Sequence, residues 1–390
     1  MNAQKIGIVT MLCNALTESN RPLPVDFDWE ALNSDPSQYK NLRGLLIRGA
    51  NLAGIPRSHP AIKELMIGFL EDIRRSRNQM QQLQAIYNVF DEQGVDYMPV
   101  KGAVLKTLYP QPELRMMEDA DILIRPEQLP IIRQIMLDMN MEERSGDTNE
   151  FVWNHPKLLL ELHKTLISSQ FGDFLGYLRN SWDFAEKEPN GHAYRFREEN
   201  HFVFLVIHFA KHYMHGSTAP KDICDLWVFR NAYPKMDGAY IESELQKVGL
   251  AAFYKNILAV LHAWFQNGEY TEEAELITDV VFRHGITDHT TSQWSHTILS
   301  HQDSEHSLAK TKFLFILQKI FPPLHVMQSR YAILLKKPWL TPFYQIRRWF
   351  EIVFLQKRLN RAMDVLVKGD VLQNYTDHLN KVGLGKLPQK

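Results

Sequence analysis

The hydrophobic period changes at Gly94, and this change constrains the fold more than any other feature of the chain. Upstream, Leu65, Phe69, Ile73, Met80, Leu83, Ile86, Tyr87 and Phe90 recur at helical spacing, predicting a long helix from Pro60 to Gln93. Gly94 supplies the residue type that commonly ends a helix. Downstream the apolar runs are short. Asp96–Val100, Ala120–Ile124, Glu142–Arg144, Phe151–Asn154 and Leu158–His163 read as strands. Gly102–Tyr109 and Pro126–Asn140 read as helices between them. Strands alternating with helices imply a compact unit with a mixed sheet.

Helical periodicity returns after Ser168. His201–Tyr213, Asp222–Asn231, Tyr240–Val248, Ala252–Trp264 and Glu272–Phe282 are predicted helices. Residues 284–306 are polar and His-rich and read as a long loop; helices resume at Leu308–Ile320, Phe343–Leu359 and around Asp370–Val382. The fold class is therefore α+β, a small mixed-sheet core embedded in a largely helical chain. At about 150 residues per domain, 390 residues allow two or three domains. The divisions read from the pattern are an N-terminal helical segment (1–70), the α/β core (71–170), a helical domain (171–300) and a C-terminal helical region (301–390).

Charge narrows the partners. The chain has 44 Lys and Arg against 45 Asp and Glu, which argues against nucleic-acid binding by bulk charge alone. The balance is uneven: residues 301–390 carry a net +9 and the rest a net −10. The basic C-terminal region suits an anionic partner or the acidic body of the chain itself. Within it, Arg347, Arg348, Lys357 and Arg358 lie beside Trp349, Phe350, Ile352 and Val353. Such a helix binds nucleic acid or a membrane surface, or, more plainly, packs its apolar stripe on its own domain. Two cysteines, Cys13 and Cys224, no apolar run of membrane-spanning length and no signal-like N-terminus point to a reducing, cytoplasmic setting.

The chemistry concentrates in the α/β unit. Asp119 and Asp121 flank Ala120 before Ile122-Leu123-Ile124, so on a strand both carboxylates face the same way. They repel each other unless a cation intervenes, and the hard Mg²⁺ ion suits them. Glu161, on another apolar strand, offers a third carboxylate. Lys101 precedes Gly102, whose backbone at a helix start suits a phosphate, and Arg115 adds positive charge.

The run VKGAVLKTLYPQPELRMMEDADILI, followed by LLLELHKTL, resembles the uncharacterised nucleotidyltransferase family of the DNA polymerase β-like nucleotidyltransferase superfamily. IHFAKHYMHGSTAPKDICDLWVF is similar to that family's helical C-terminal portion. The resemblance spans roughly residues 70–290. It implies a two-metal nucleotidyl transfer from an NTP to a hydroxyl of an unknown acceptor: a small molecule, a sugar, an RNA or a protein. Asp119, Asp121 and Glu161 would be the catalytic metal ligands. Lys101, Gly102 and Arg115 would bind the nucleotide. Two positions depart from the wider superfamily: Ala103 stands where a Ser usually follows the Gly, and the third carboxylate is Glu161 rather than Asp. The first departure supports an alternative, a catalytically silent nucleotide- or partner-binding regulatory module on the same fold.

Several residues carry two readings. His163 shares a strand face with Glu161 and either touches substrate or orients Glu161 and the metal. His208 and His212 stand four apart on one helix, a spacing that holds Zn²⁺, although no HExxH is present. Alternatively they are core histidines, or Lys211 and His212 lie near the phosphates. Asp222 and Asp225 either cap and pair locally, or Asp225 reaches the cleft.

Overall fold

A computed structural model describes residues 1–34, 39–146, 150–166, 177–178, 180–287, 289–300, 317, 320–331, 333–354 and 369–385. Three helices come first: α1 (Ala3–Thr17), α2 (Trp29–Ser34) and α3 (Arg43–Leu52). The long helix α4 (Pro60–Glu92) starts with a proline in its first turn, where no amide hydrogen is needed. It ends at Gly94, whose φ of +69° is the left-handed geometry that glycine adopts at little cost.

The α/β unit follows as β1 (Tyr97–Val100), α5 (Gly102–Leu108), β2 (Ala120–Ile124), α6 (Leu129–Asp138), β3 (Glu142–Gly146), β4 (Glu150–His155) and β5 (Leu158–His163). The sheet order is β1-β2-β5-β4-β3. Only β2 and β5 run parallel; the other neighbours are antiparallel, so the sheet is mixed. A separate antiparallel pair, β6 (Ala185–Lys187) and β7 (Tyr194–Phe196), was not foreseen from the sequence.

Alternation along the central strands sorts the side chains. Ala120, Ile122 and Ile124 of β2, with Leu158, Leu160 and Leu162 of β5, join the apolar layer under α4 and α6. The intervening residues, Asp121, Glu161 and His163, line a cavity on the other face. One face of each strand therefore anchors the sheet and the other carries polar groups.

That other face meets the helical region: α7 (Glu198–His215), α8 (Pro220–Ala232), α9 (Gly238–Lys247), α10 (Ala251–Phe265), α11 (Glu272–Arg283) and α12 (His289–Ser300). Their core is continuous with that of α1 and α3, through residues such as Leu12, Leu46, Ile257 and Trp264. Cys13 and Cys224 are both buried and unbridged. The described chain is thus α+β with a small mixed sheet.

One expectation is corrected. Residues 284–306 are not one long loop, because α12 occupies His289–Ser300. Its buried side is largely polar, with Ser292, Ser295 and His296 beside Ile298, so it carries no apolar stripe to read. In the helix Thr341–Phe354, Phe343 and Phe350 are 67% and 64% exposed. Most of 308–320 and all of 355–359 lie outside the described residues. Among the described residues, no helix is long and apolar enough to cross a membrane.

Candidate functional site

The turn from β1 into α5 positions the first basic group. Lys101 has φ +48° and ψ −118°, a conformation that costs a non-glycine residue about 1–3 kcal/mol. Its Nζ lies 2.6 Å from Oδ1 of Asp121. The next residue has no room for a side chain: a Cβ on Gly102 would stand 2.6 Å from Nη1 of Arg115 and 3.0 Å from Cγ of Met117. Gly102 is therefore required by close packing, and its backbone lines the cavity.

The parallel register of β2 and β5 pairs Asp121 with Glu161. Nε2 of His163 lies 3.0 Å from Oδ1 of Asp121 and 3.6 Å from Oε2 of Glu161. Asp121, Glu161 and His163 each offer a ligand atom within 4.8 Å of the others. Asp119 lies on the same face, half-buried at the edge of the same cavity. Of the three carboxylates expected to converge, Asp121 and Glu161 stand together with His163 completing the tight set, and Asp119 stands beside it.

Electrostatics separate these carboxylates. Burial alone would raise the Asp121 pKa, but Lys101 and the hydrogen bonds from His163 and Lys101 hold it well below the usual range. Burial, followed by the charges of Asp119, Asp121 and Glu150, pushes Glu161 up to about 7. Burial and the charge of Asp121 raise Asp119 as well. Lys101 is lowered by burial, but Asp121, Asp119 and Glu161 outweigh that and raise its pKa. Even with Lys101 present, the floor has more negative charge than it compensates.

The opposite wall comes from α7 and the start of α8. Lys211, His208, His212 and Lys221 line it. Burial and the charge of Lys101 lower the Lys211 pKa. Burial, then Lys211, Lys101 and Lys221, bring His212 down to about 3, so its ring is neutral at ordinary pH. The two histidines face each other, Nε2 to Nε2 at 3.0 Å, and Nδ1 of His212 lies 2.6 Å from Oγ of Ser217. Among the described residues the tight ligand set is that of Asp121, Glu161 and His163, and the zinc reading of His208 and His212 has no third donor.

Arg115 lines the cavity while held by a carboxylate. Its Nε and Nη2 donate to Oδ1 and Oδ2 of Asp225 at 3.2 and 2.9 Å, and the hydroxyl of Tyr109 donates to Asp225 Oδ1 at 2.7 Å. The guanidinium is committed to a buried bidentate pair that ties the α/β unit to α8. Asp222 caps α8, accepting from the Ala219 amide at 2.8 Å.

Lys101, Gly102, Arg115, Asp119, Asp121, Glu161, His163, Lys211 and His212, and with them His208, Asp222 and Asp225, line this one cavity of about 530 Å³. A volume in this range suits a nucleotide-sized ligand. Sequence reading missed Glu150 and Lys221, which line it too. The signal for Glu150 was its place one residue before the predicted strand Phe151–Asn154; β4 starts at Glu150, opposite His163. A family model described as uncharacterised nucleotidyltransferase matches residues 26–266. No curated protein and no solved structure matches the chain.

Proposed function

The chain belongs to the uncharacterised nucleotidyltransferase family, and from that premise we propose that it transfers a nucleoside monophosphate from an NTP to a hydroxyl of an acceptor, with Mg²⁺. The observation that carries this reading is the in-register pairing of Asp121 and Glu161 on the floor of a cavity walled by Lys211 and Lys221. The acceptor oxygen attacks the α-phosphorus. A new O–P bond forms as the bond to pyrophosphate breaks, and pyrophosphate and the hydroxyl proton leave.

The donor set fits a divalent ion: two carboxylates and an imidazole within 4.8 Å, beside a third carboxylate, Asp119, whose pKa burial and the charge of Asp121 raise. Asp119, Asp121 and Glu161 would hold the ions of a two-metal site, with His163 orienting Asp121. Bound there, Mg²⁺ lowers the pKa of the acceptor hydroxyl and neutralises phosphate oxygens. Lys101 keeps Asp121 ionised from within the floor. Lys211 and Lys221 face the triphosphate from the other wall. Arg115 positions that wall through Asp225.

Incubation with α-³²P-labelled NTPs, Mg²⁺ and a cell extract tests the reading. Wild type should label an acceptor, and Asp121→Asn or Glu161→Gln should lower the rate about 10²-fold or more, as loss of a key charge does at other sites. Equal labelling by the variants would refute it. The silent-module reading has one observation in its favour: Lys101 already places a cation on Asp121, 2.6 Å away. It predicts nucleotide binding unchanged by EDTA and no label transfer.

A further inference from the structure

A second cavity, of about 460 Å³, adjoins the first and shares Glu118 with it. Lys40, Arg75, Arg144 and Lys157 line it, and Glu118 is the one carboxylate among its lining residues. Glu118 is already matched by Lys40, at 2.9 Å. Gln79 also lines the cavity and is 2% exposed; its Nε2 donates to the Met117 carbonyl at 3.0 Å. Its Oε1 is buried without a hydrogen-bond partner. These residues come from α4, the segment before α3, β3 and the β4–β5 turn, so the fold brings the cations together from distant parts of the chain.

We infer that this cavity seats the phosphate of the acceptor, which is therefore a phosphate-bearing molecule. The inference rests on the nucleotidyl-transfer reading of the first cavity. Four cations around one matched carboxylate suit a doubly charged phosphate, and two of them are arginines with the planar fork that grips it. The spacing fits one molecule reaching both cavities. Leu158 lines the second and Glu161 the first, and three residues of extended strand span about 10 Å. The phosphate would sit in one cavity while the hydroxyl of the same molecule reaches the other.

Calorimetry on the full chain in EDTA tests this with two phosphate probes, a 5′-phosphorylated pentaribonucleotide and glucose 6-phosphate, and with polyglutamate as a control. Arg75 and Lys157 are exposed, so Arg75→Glu combined with Lys157→Glu should leave the fold intact, which a melting curve checks. At least one phosphate probe should bind wild type, and the double variant should weaken it about tenfold or more with a shallower salt slope. Mg²⁺–ATP binding should be unchanged in the variant. Binding of the oligonucleotide alone identifies a nucleic-acid end as the source; binding of the sugar phosphate alone identifies a small molecule. The inference fails if neither phosphate probe binds, if the variant binds as tightly, or if polyglutamate binds as well. Label transfer is scored separately. Phosphate binding without transfer overturns the catalytic reading, and transfer without phosphate binding overturns this inference.

Discussion

Removing Asp225 should destabilise the protein far more than removing a typical polar residue. Its side chain is 9% exposed and that of Arg115 is 6% exposed, so the pair is shielded from water. Among the described residues, Asp225→Ala leaves the buried guanidinium the Met116 carbonyl, at 3.4 Å, as its remaining acceptor. Breaking a buried ion pair from one side costs about 3–5 kcal/mol. The Tyr109 hydroxyl loses its acceptor as well, a penalty of about 1–3 kcal/mol that overlaps the first. The expected total is about 4–6 kcal/mol. Arg115→Met combined with Asp225→Leu removes both charges, so the double variant should be more stable than either single-variant sum allows, with a coupling of about 2 kcal/mol or more. Urea unfolding followed by tryptophan fluorescence measures each arm. If Arg115 served chiefly as a triphosphate ligand, Arg115→Met would weaken ATP binding while leaving stability almost unchanged. That result, or additive single effects, would refute the assignment of Arg115 as a strut.

Two further perturbations follow from the same geometry. Gly102→Ala should destabilise by about 1–3 kcal/mol despite the better helix propensity of alanine, because Arg115 cannot move aside while Asp225 holds it; thermal melting checks this, and a stabilised variant would contradict the packing. In EDTA, Glu161 should make wild-type stability fall as pH rises. Its folded pKa, about 7, exceeds the ordinary 4.5, so its contribution is full below about 4.5 and lost by about 7. After allowance for solvent screening the loss is about 1–2 kcal/mol relative to Glu161→Gln, and a pH-independent difference between the two proteins would count against the crowded carboxylate floor.

The site was legible where local alternation decides geometry. In Asp119–Ile124 and Leu158–His163, apolar residues at every second position fix which side chains face the sheet's buried layer, and the carboxylates and His163 fall on the other face automatically. It was illegible where partners are distant. Arg115 and Asp225 lie 110 positions apart, and nothing local distinguishes an arginine that meets phosphate from one that meets a carboxylate. The helix His289–Ser300 was missed for another reason: it buries Ser292, which bonds to Thr287, and Ser295 and His296, so hydrophobic period carried no signal. The register of β3 against β4, which brings Arg144 to the second cavity, likewise depends on pairing rather than on composition.

The near-balanced charge of −1 conceals a separation that bears on how ligands bind. Asp119, Asp121, Glu150 and Glu161 line one side of the first cavity with Lys101 among them, while Lys211 and Lys221 line the other, where Asp225 is paired with Arg115 and Asp222 caps α8. A polyphosphate entering alone would gain the lysines and meet the carboxylates. A divalent cation entering alone would gain the carboxylates and meet the lysines. Entering together, each ligand shields the other from its unfavourable wall, so the two should bind with positive coupling. Coupling of this kind is reciprocal and typically amounts to about 1–3 kcal/mol, or about 5- to 150-fold in affinity. Titrating ATP in EDTA and at saturating Mg²⁺, against a non-hydrolysable analogue as a control for turnover, measures it. Asp121→Asn should lose most of the coupling while retaining metal-free ATP binding, because it removes the floor's most strongly ionised carboxylate. Equal ATP affinity with and without Mg²⁺ would show that the separated charges do not act on a shared ligand, and would favour the silent module.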